Sequence, residues 1–294
     1  MSIDNVLITQ FSNLLHVEAQ QMKTRLMGRL QVVPMNGDEW AYDGTGVVEA
    51  KTINERNPKI DPTNPEFTRR RMLRDRIVVE LIVDNRDVRG MFENPNSKLV
   101  RDCMMAIYRK ADKIGIDSLF ADVSTGRRFT STVTFAGGGG KTINATAGLT
   151  YAKLLEIKDN FKGKEVGQDM PENVILGLSE QEETQLFNIT QLTSGDFSRN
   201  YVVDKGQVVT VMGMDIILFG SQVTNPQLAV ASGVRDCFAM STMGMMYGMS
   251  KDFAVKVIPD YPGYVESTYI QVLGEIGAVR CDETRVQKLQ TTAS

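Results

Sequence analysis

The sequence predicts an α+β fold, and three stretches carry that prediction. Thr68–Phe120 runs from a strongly basic extended segment, Thr68-Arg69-Arg70-Arg71, through a β-branched run and a turn into a long amphipathic helix. Upstream, the proline-rich Asn57–Pro65 joins two strand-like runs, Thr45–Glu55 and Phe67–Val83. Downstream, Phe253–Ile258 and Thr268–Ala278 read as strands around the turn Pro259-Asp260-Tyr261-Pro262-Gly263.

The helix has its own start signal. Pro95 ends the preceding segment, and Asn96 or Ser97 can cap the helix that begins there. Leu99, Cys103, Ala106, Ile107 and Ile114 then recur at helical spacing as one buried stripe. Gly115 weakens the helix near its end. The two runs around Asn57–Pro65 form a long two-stranded arm whose three prolines stiffen the tip. Such a hairpin cannot stand alone in water and needs a surface to lie on.

The chain has 294 residues, enough for one large or two ordinary domains with a real core. It lacks a basic leader with an apolar stretch at its start, and it has no apolar run of about 18 residues. A net charge of −3 argues against a protein whose main task is gripping nucleic acid. Cys103, Cys237 and Cys281 are odd in number and far apart, which speaks against a disulfide framework or zinc site and for a reducing setting. His16 is the one histidine, so Ser-His-Asp, Cys-His and histidine-based metal sites are removed together. Carboxylate chemistry survives that filter, but no spacing asks for it.

In chain order, Ile3, Leu7, Phe11, Leu14, Leu15, Met22 and Leu26 form an apolar helical stripe, with Asp4 placed to cap it. That stripe packs on its own domain or serves as an arm laid on a neighbouring subunit. Gln31–Ile53 has glycine-punctuated β-like runs such as Val47-Val48. Basic residues crowd the two-stranded arm: Lys51, Arg56, Lys59, Arg69, Arg70, Arg71, Arg74 and Arg76. Three readings compete for them: solvated strand edges, ion pairs to an acidic face of a neighbouring subunit, or contact with nucleic acid. The second is favoured, because the arm lacks interleaved aromatics for base stacking.

Arg127–Ala136 alternates as a strand and ends in Gly137-Gly138-Gly139-Gly140-Lys141-Thr142. A phosphate loop would need a glycine where Phe135 stands, and a helix directly afterwards. A surface loop fits better. Leu149–Phe161 is a compact helix capped by Thr150, with Leu154, Leu155 and Ile157 facing inward. Gly163–Pro171 is a linker and Asn173–Leu178 a buried strand. Ser179 with Glu182 three residues on is a capping box. Val202–Gly220 gives two strands hinged at Gly213, and Val286–Leu289 a last short strand. The methionines of Met240–Met249 either fill core gaps or make a pliable subunit contact.

The order of these elements resembles the major capsid proteins of tailed bacteriophages. Phe11-Ser12-Asn13-Leu14 with Gln20–Leu26 resembles that family's arm pattern, and Thr68–Arg71 with Leu81–Asp84 its approach to the spine helix. Ala111-Asp112 and Asp117 fall where the family carries acidic residues on that helix. Val174–Gln185, Gly206–Ile216, and Met249–Ile258 with Tyr269–Ala278 resemble its later strands and hinge. Each motif alone is common, but their joint order spans nearly the whole chain.

The resemblance implies an N-terminal arm (1–36), an extended two-stranded loop (37–90) and a peripheral domain with the spine helix (91–148). A mainly axial domain (149–250) and a return to the periphery (251–294) complete the chain. It implies a non-enzymatic subunit, without cofactor or metal, that self-assembles into pentamers and hexamers of an icosahedral head around double-stranded DNA. Expected partners are further copies of itself, a separate scaffolding protein, a portal protein, the packaged DNA through weak contacts and a decoration protein, with no membrane. The expected place is the virion, after assembly in the host cytoplasm. Expected inter-subunit contacts are Phe11, Leu15, Arg56, Lys59, Arg69, Arg70, Arg71 and Arg74. Competing readings are an encapsulin-type compartment shell, a nucleotide-binding enzyme using Gly137–Thr142, and a tail-tube or decoration protein.

Overall fold

The structure is a computed structural model that describes residues 20–54, 56, 59, 62, 64–84, 96–167, 172–193, 203–204, 207–208, 210–221 and 225–293. Phe11, Leu15 and most of the amphipathic stripe lie outside these residues. The chain begins with β1 (Gln31–Pro34), β2 (Glu39–Thr45), β3 (Phe67–Leu73) and β4 (Asp75–Asp84). Helix α1 (Asn96–Phe120) leads to β5 (Val123–Thr125), β6 (Ser131–Val133), β7 (Lys141–Ala145) and α2 (Tyr151–Lys162). Then come β8 (Val174–Ser179), α3 (Glu180–Phe187), the single turn α4 (Thr190–Thr193), β9 (Val203–Asp204), β10 (Gln207–Val208), β11 (Thr210–Val211) and β12 (Met214–Phe219). The chain closes with β13 (Val230–Ala231), β14 (Val234–Ser241), β15 (Met245–Ile258), β16 (Ser267–Arg280), a 3-10 turn at Glu283–Arg285 and β17 (Val286–Thr292).

Two compact units share this chain. The larger comprises 25–74, 112–249 and 277–294; the smaller comprises 1–24, 75–111 and 250–276. The larger unit holds a seven-stranded sheet in the order β11-β12-β8-β14-β17-β7, with β13 on β14. In β8 the run Val174-Ile175-Leu176-Gly177-Leu178 is almost wholly buried, as a central strand covered on both faces must be. Leu154, Ile157 and Phe161 of α2 pack into its core. A second sheet, β2-β3-β5-β6, closes over Met35, Met72, Val123 and Val279. In the smaller unit, β4 pairs along its whole length with β16, from Asp75↔Ile276 to Asp84↔Ser267. Cys103, Met105, Ile107 and Ala111 on the helix are buried, and Tyr108 meets Phe253 edge-on.

Several expectations are corrected. The arm ladder is Glu39–Thr45 against Phe67–Leu73, so Val47 and Val48 lie outside any strand. Prolines and polar residues give the stretch beyond Thr45 too little to pack across a ladder. Phe67–Val83 is two strands in different sheets, parted at Arg74. Gln20–Leu26 is not helical, because the backbone N–H groups of Arg25 and Leu26 donate to the Asp112 carboxylate instead. Arg127–Ala136 contributes only Ser131–Val133 to a strand. Leu155 is exposed, and Ile114 is only half-buried.

Gly115 does not end α1, which runs on to Phe120. It is a notch, since a Cβ there would fall 1.9 Å from the Tyr247 hydroxyl.

Candidate assembly surface

Alternation along β3 divides its arginines between two faces. Arg69 points outward, where the antiparallel register sets it opposite Asp43. Its Nε and Nη2 donate to the two carboxylate oxygens at 2.6 and 2.7 Å. Those bonds hold the Asp43 carboxyl below the usual carboxylate range. Arg71 pairs with Glu39 at 2.6 Å, and Arg74 pairs with Asp38. These expected contact residues therefore hold acids of their own chain, which keep the arm's outer face close to charge-neutral. Exposed pairs of this kind add little to stability. Arg56 and Lys59 are exposed near the arm's tip.

Arg70, also expected to meet a neighbouring chain, faces inward and finds its partners in its own chain. Its side chain is buried, donating to both oxygens of Glu283. Arg280, fully buried, donates from Nε to the same Glu283 oxygen at 3.1 Å. Arg280 Nη1 also donates to the carbonyls of Leu119 and Ala121, satisfying the end of α1. Burial alone would raise the Glu283 carboxyl, but hydrogen bonds and charge from Arg70, reinforced by Arg280, hold it below the usual range. Burial depresses Arg280, with Glu283 opposing. Sequence reasoning missed this cluster because Arg70 lies 210 residues from Arg280 and 213 from Glu283.

At the end of the ladder and beyond it the arm carries apolar side chains that stand exposed. Val47 is 96% exposed, Phe67 75% and Ile53 64%, with Val48 beside them. Adjacent β-branched residues just after Gly46 were the available signal, but they read as strand. Val265 and Tyr264 are likewise exposed where β15 turns back to β16, with Tyr261 stacked between Tyr264 and Tyr269.

The glycine run does not form a phosphate cradle. Gly137 N–H donates to the Thr134 hydroxyl, Gly138 N–H to the Thr134 carbonyl, Gly139 N–H to Ala136 and Gly140 N–H to Phe135. All four amides are used inside the turn, and strand β7 comes next where a phosphate loop needs a helix. The glycines serve close packing: a Cβ at Gly138 would lie 2.6 Å from the Glu283 carboxyl carbon, and one at Gly140 would meet the Phe135 ring. Met240 and Met245 are buried core residues, whereas Met243 is exposed. Among the described residues, no helix is long and apolar enough to cross a membrane, and no acid, histidine and cysteine cluster could hold a metal ion.

Residues 3–292 match the family described as "Phage capsid protein". No curated protein matches the sequence. Among solved structures, the chain resembles one from the head of Helicobacter pylori bacteriophage KHP40 with a TM-score of 0.75 at 9% identity, covering 100% of both chains. It resembles one from the capsid of Cyanophage P-SCSP1u with a TM-score of 0.74 at 12% identity, over 98% of this chain and 94% of that one. A chain from Mycobacterium phage Che8 gives a TM-score of 0.69 at 14% identity, with 98% of each chain covered. At these identities the likeness is one of fold.

Proposed function

The chain belongs to the phage capsid protein family, and we propose that this major capsid subunit closes into pentamers and hexamers of an icosahedral head around double-stranded DNA. One observation supports the mechanism best: Phe67 at the end of the arm's ladder, and Val47, Val48 and Ile53 beyond it, stand in water. Large apolar side chains left exposed together on one segment suit an interaction surface, and a second copy of the chain is the partner that a tiling subunit always has nearby. Each contact is modest, and a closed shell multiplies it through many copies. Arg56 and Lys59 add charge at the same tip, while Phe11 and Leu15 would add a second, N-terminal overlap.

On this reading the work is structural rather than catalytic. The division into arm (1–36), extended loop (37–90), peripheral (91–148 and 251–294) and axial (149–250) parts describes how the tile is used. A separate scaffolding protein guides closure in the host cytoplasm, a portal protein occupies one vertex, and a decoration protein has the outer surface. Net charge of −3 suits weak contact with packaged DNA, since tight binding would hinder genome movement.

The test is negative-stain microscopy with light scattering on the expressed chain, alone and with a candidate scaffold. Uniform shells, or pentamers and hexamers, are expected. A stable monomer under both conditions would overturn the tiling role.

A further inference from the structure

Resting on the capsid reading, we propose that the Arg70–Glu283–Arg280 cluster is a lock that fixes the direction in which the arm leaves the core, and thereby the geometry of the shell it builds. Met72 packs the arm's base against Met35, Val123 and Val279, but the arm's lateral backbone pairing is narrow. The β3 strand joins β5 through one paired position, Arg70↔Thr125, steadied by the Gly126 N–H on the Arg69 carbonyl at 3.0 Å. Apolar packing is non-directional and a single bridge constrains angle poorly, because the ladder can twist about it.

Arg70 supplies the missing constraint at that same residue. Its guanidinium grips both oxygens of Glu283 and donates to the Arg280 carbonyl at 3.2 Å. A planar two-pronged pair fixes orientation as well as distance. Arg280 in turn grips Glu283 and the end of α1, so arm strand, long helix and C-terminal turn meet at one carboxylate. Gly138 closes the cluster from the loop side, leaving no room for a side chain against Glu283.

The cluster is also an improbable way to gain stability alone. Two guanidiniums share one carboxylate, and Arg70 Nε and Arg280 Nη2 are buried without a hydrogen-bond partner. Buried ionic groups with unmet donors are costly where an apolar core would serve, and their best-attested use is to specify one geometry over alternatives.

Hydrogen–deuterium exchange on the soluble subunit, read beside microscopy of the assembled product, tests this. Arg70→Lys keeps the charge but loses the two-pronged geometry, Arg70→Met removes both, and Gly138→Ala disturbs Glu283 without touching the arm. All three should speed exchange of the ladder amides in 39–45 and 67–73 roughly tenfold or more, with β8 and β14 still protected. Their assemblies should be polymorphic, with tubes or shells of mixed size. Ladder exchange equal to wild type in Arg70→Lys and Gly138→Ala would overturn the lock, whether or not any particle forms. Faster ladder exchange with shells as uniform as wild type would overturn its role in shell geometry. Failure of the unaltered chain to assemble would count against the capsid reading itself, while the exchange data would still decide the lock.

Discussion

Arg70 and Glu283, 213 residues apart in the chain, meet in a buried two-pronged ion pair, with Nη1–Oε1 at 2.5 Å and Nη2–Oε2 at 2.7 Å. Removing either partner should destabilise the subunit, but not equally. Arg70→Met leaves Glu283 with Arg280, a one-to-one pair. Glu283→Gln leaves two buried guanidiniums facing a neutral amide. Breaking a buried pair costs about 3–5 kcal/mol, and Glu283→Gln should lie at the upper end with Arg70→Met clearly below it. Urea unfolding of the two variants gives the order, and the reverse order would contradict this account of the charges.

Two buried glutamates should make the fold sensitive to acid. Burial would raise Glu182, but hydrogen bonds from Ser179 and Thr291, with the Arg235 charge, hold it below its ordinary value of 4.5. Glu283 is held low in the same direction by Arg70. A carboxyl whose folded value is depressed binds fewer protons folded than unfolded, so its stabilisation is full above about 4.5 and lost as pH falls through the folded value. The urea midpoint should therefore vary little with these groups from about pH 5 to 7 and drop below that window. Glu182→Gln should be less stable at neutral pH and show a shallower acid decline. An unchanged decline in that variant would remove Glu182 from the explanation.

Gly115→Ala tests the notch in α1. On helix propensity alone the change gains up to about 1 kcal/mol. The new methyl would fall 1.9 Å from the Tyr247 hydroxyl and 2.7 Å from its ring carbon, in a fully buried site. Overpacking of this kind costs about 1–3 kcal/mol, which should win. Removing the hydroxyl with Tyr247→Phe in the same chain should restore part of the loss, while the remaining ring contact prevents full recovery. A stabilised Gly115→Ala variant would mean that the helix and Tyr247 do not approach as described.

The same glycine shows where sequence reading stops. Local chemistry was legible: the Ser179–Glu182 capping box forms as written, and the turn before Met214 uses Met212 and Gly213 at positive φ. The long helix starts at Asn96, next to Pro95, and β16 and β17 cover the expected Thr268–Ala278 and Val286–Leu289, whereas β15 begins at Met245, well before Phe253. Gly115 carries a local signal, a weak helix former, whose cause is Tyr247 more than a hundred residues away. Arg70 likewise looks identical in sequence to Arg69 and Arg71. Its different fate is set by strand parity and by Glu283, which only tertiary pairing brings near. The exposed Val47-Val48 pair was misread for a related reason: β-branched residues favour strands only where a neighbouring strand exists to receive them.

Thiol chemistry gives a check on core integrity. Cys103, Cys237 and Cys281 are all buried. Burial pushes the Cys237 and Cys281 thiols up to about 12 and raises Cys103 as well. Thiolate is the reactive form, so the native subunit should react slowly with an aromatic disulfide reagent. The unfolded chain should release three equivalents promptly. Rapid reaction of all three in the native state would show that the core opens readily.

Val47→Asp and Phe67→Asp separate folding from assembly. Both side chains lie mostly in water in the single chain, so a charge there disturbs little that folding uses. Surface substitutions of this kind usually change subunit stability by no more than about 0.5 kcal/mol. In the shell the same positions would be covered by a neighbour, and each apolar side chain buried there contributes about 1.5–3 kcal/mol. A buried, unpaired carboxylate would reverse that sign at every copy of the contact. Each variant should therefore unfold at nearly the wild-type urea concentration yet stay unassembled in light scattering under conditions that give shells from the unaltered chain. Normal shells from Val47→Asp would place the contact elsewhere. Unfolding at clearly lower urea would mean instead that Val47 packs within its own subunit, and the arm would lose its claim as the assembly surface.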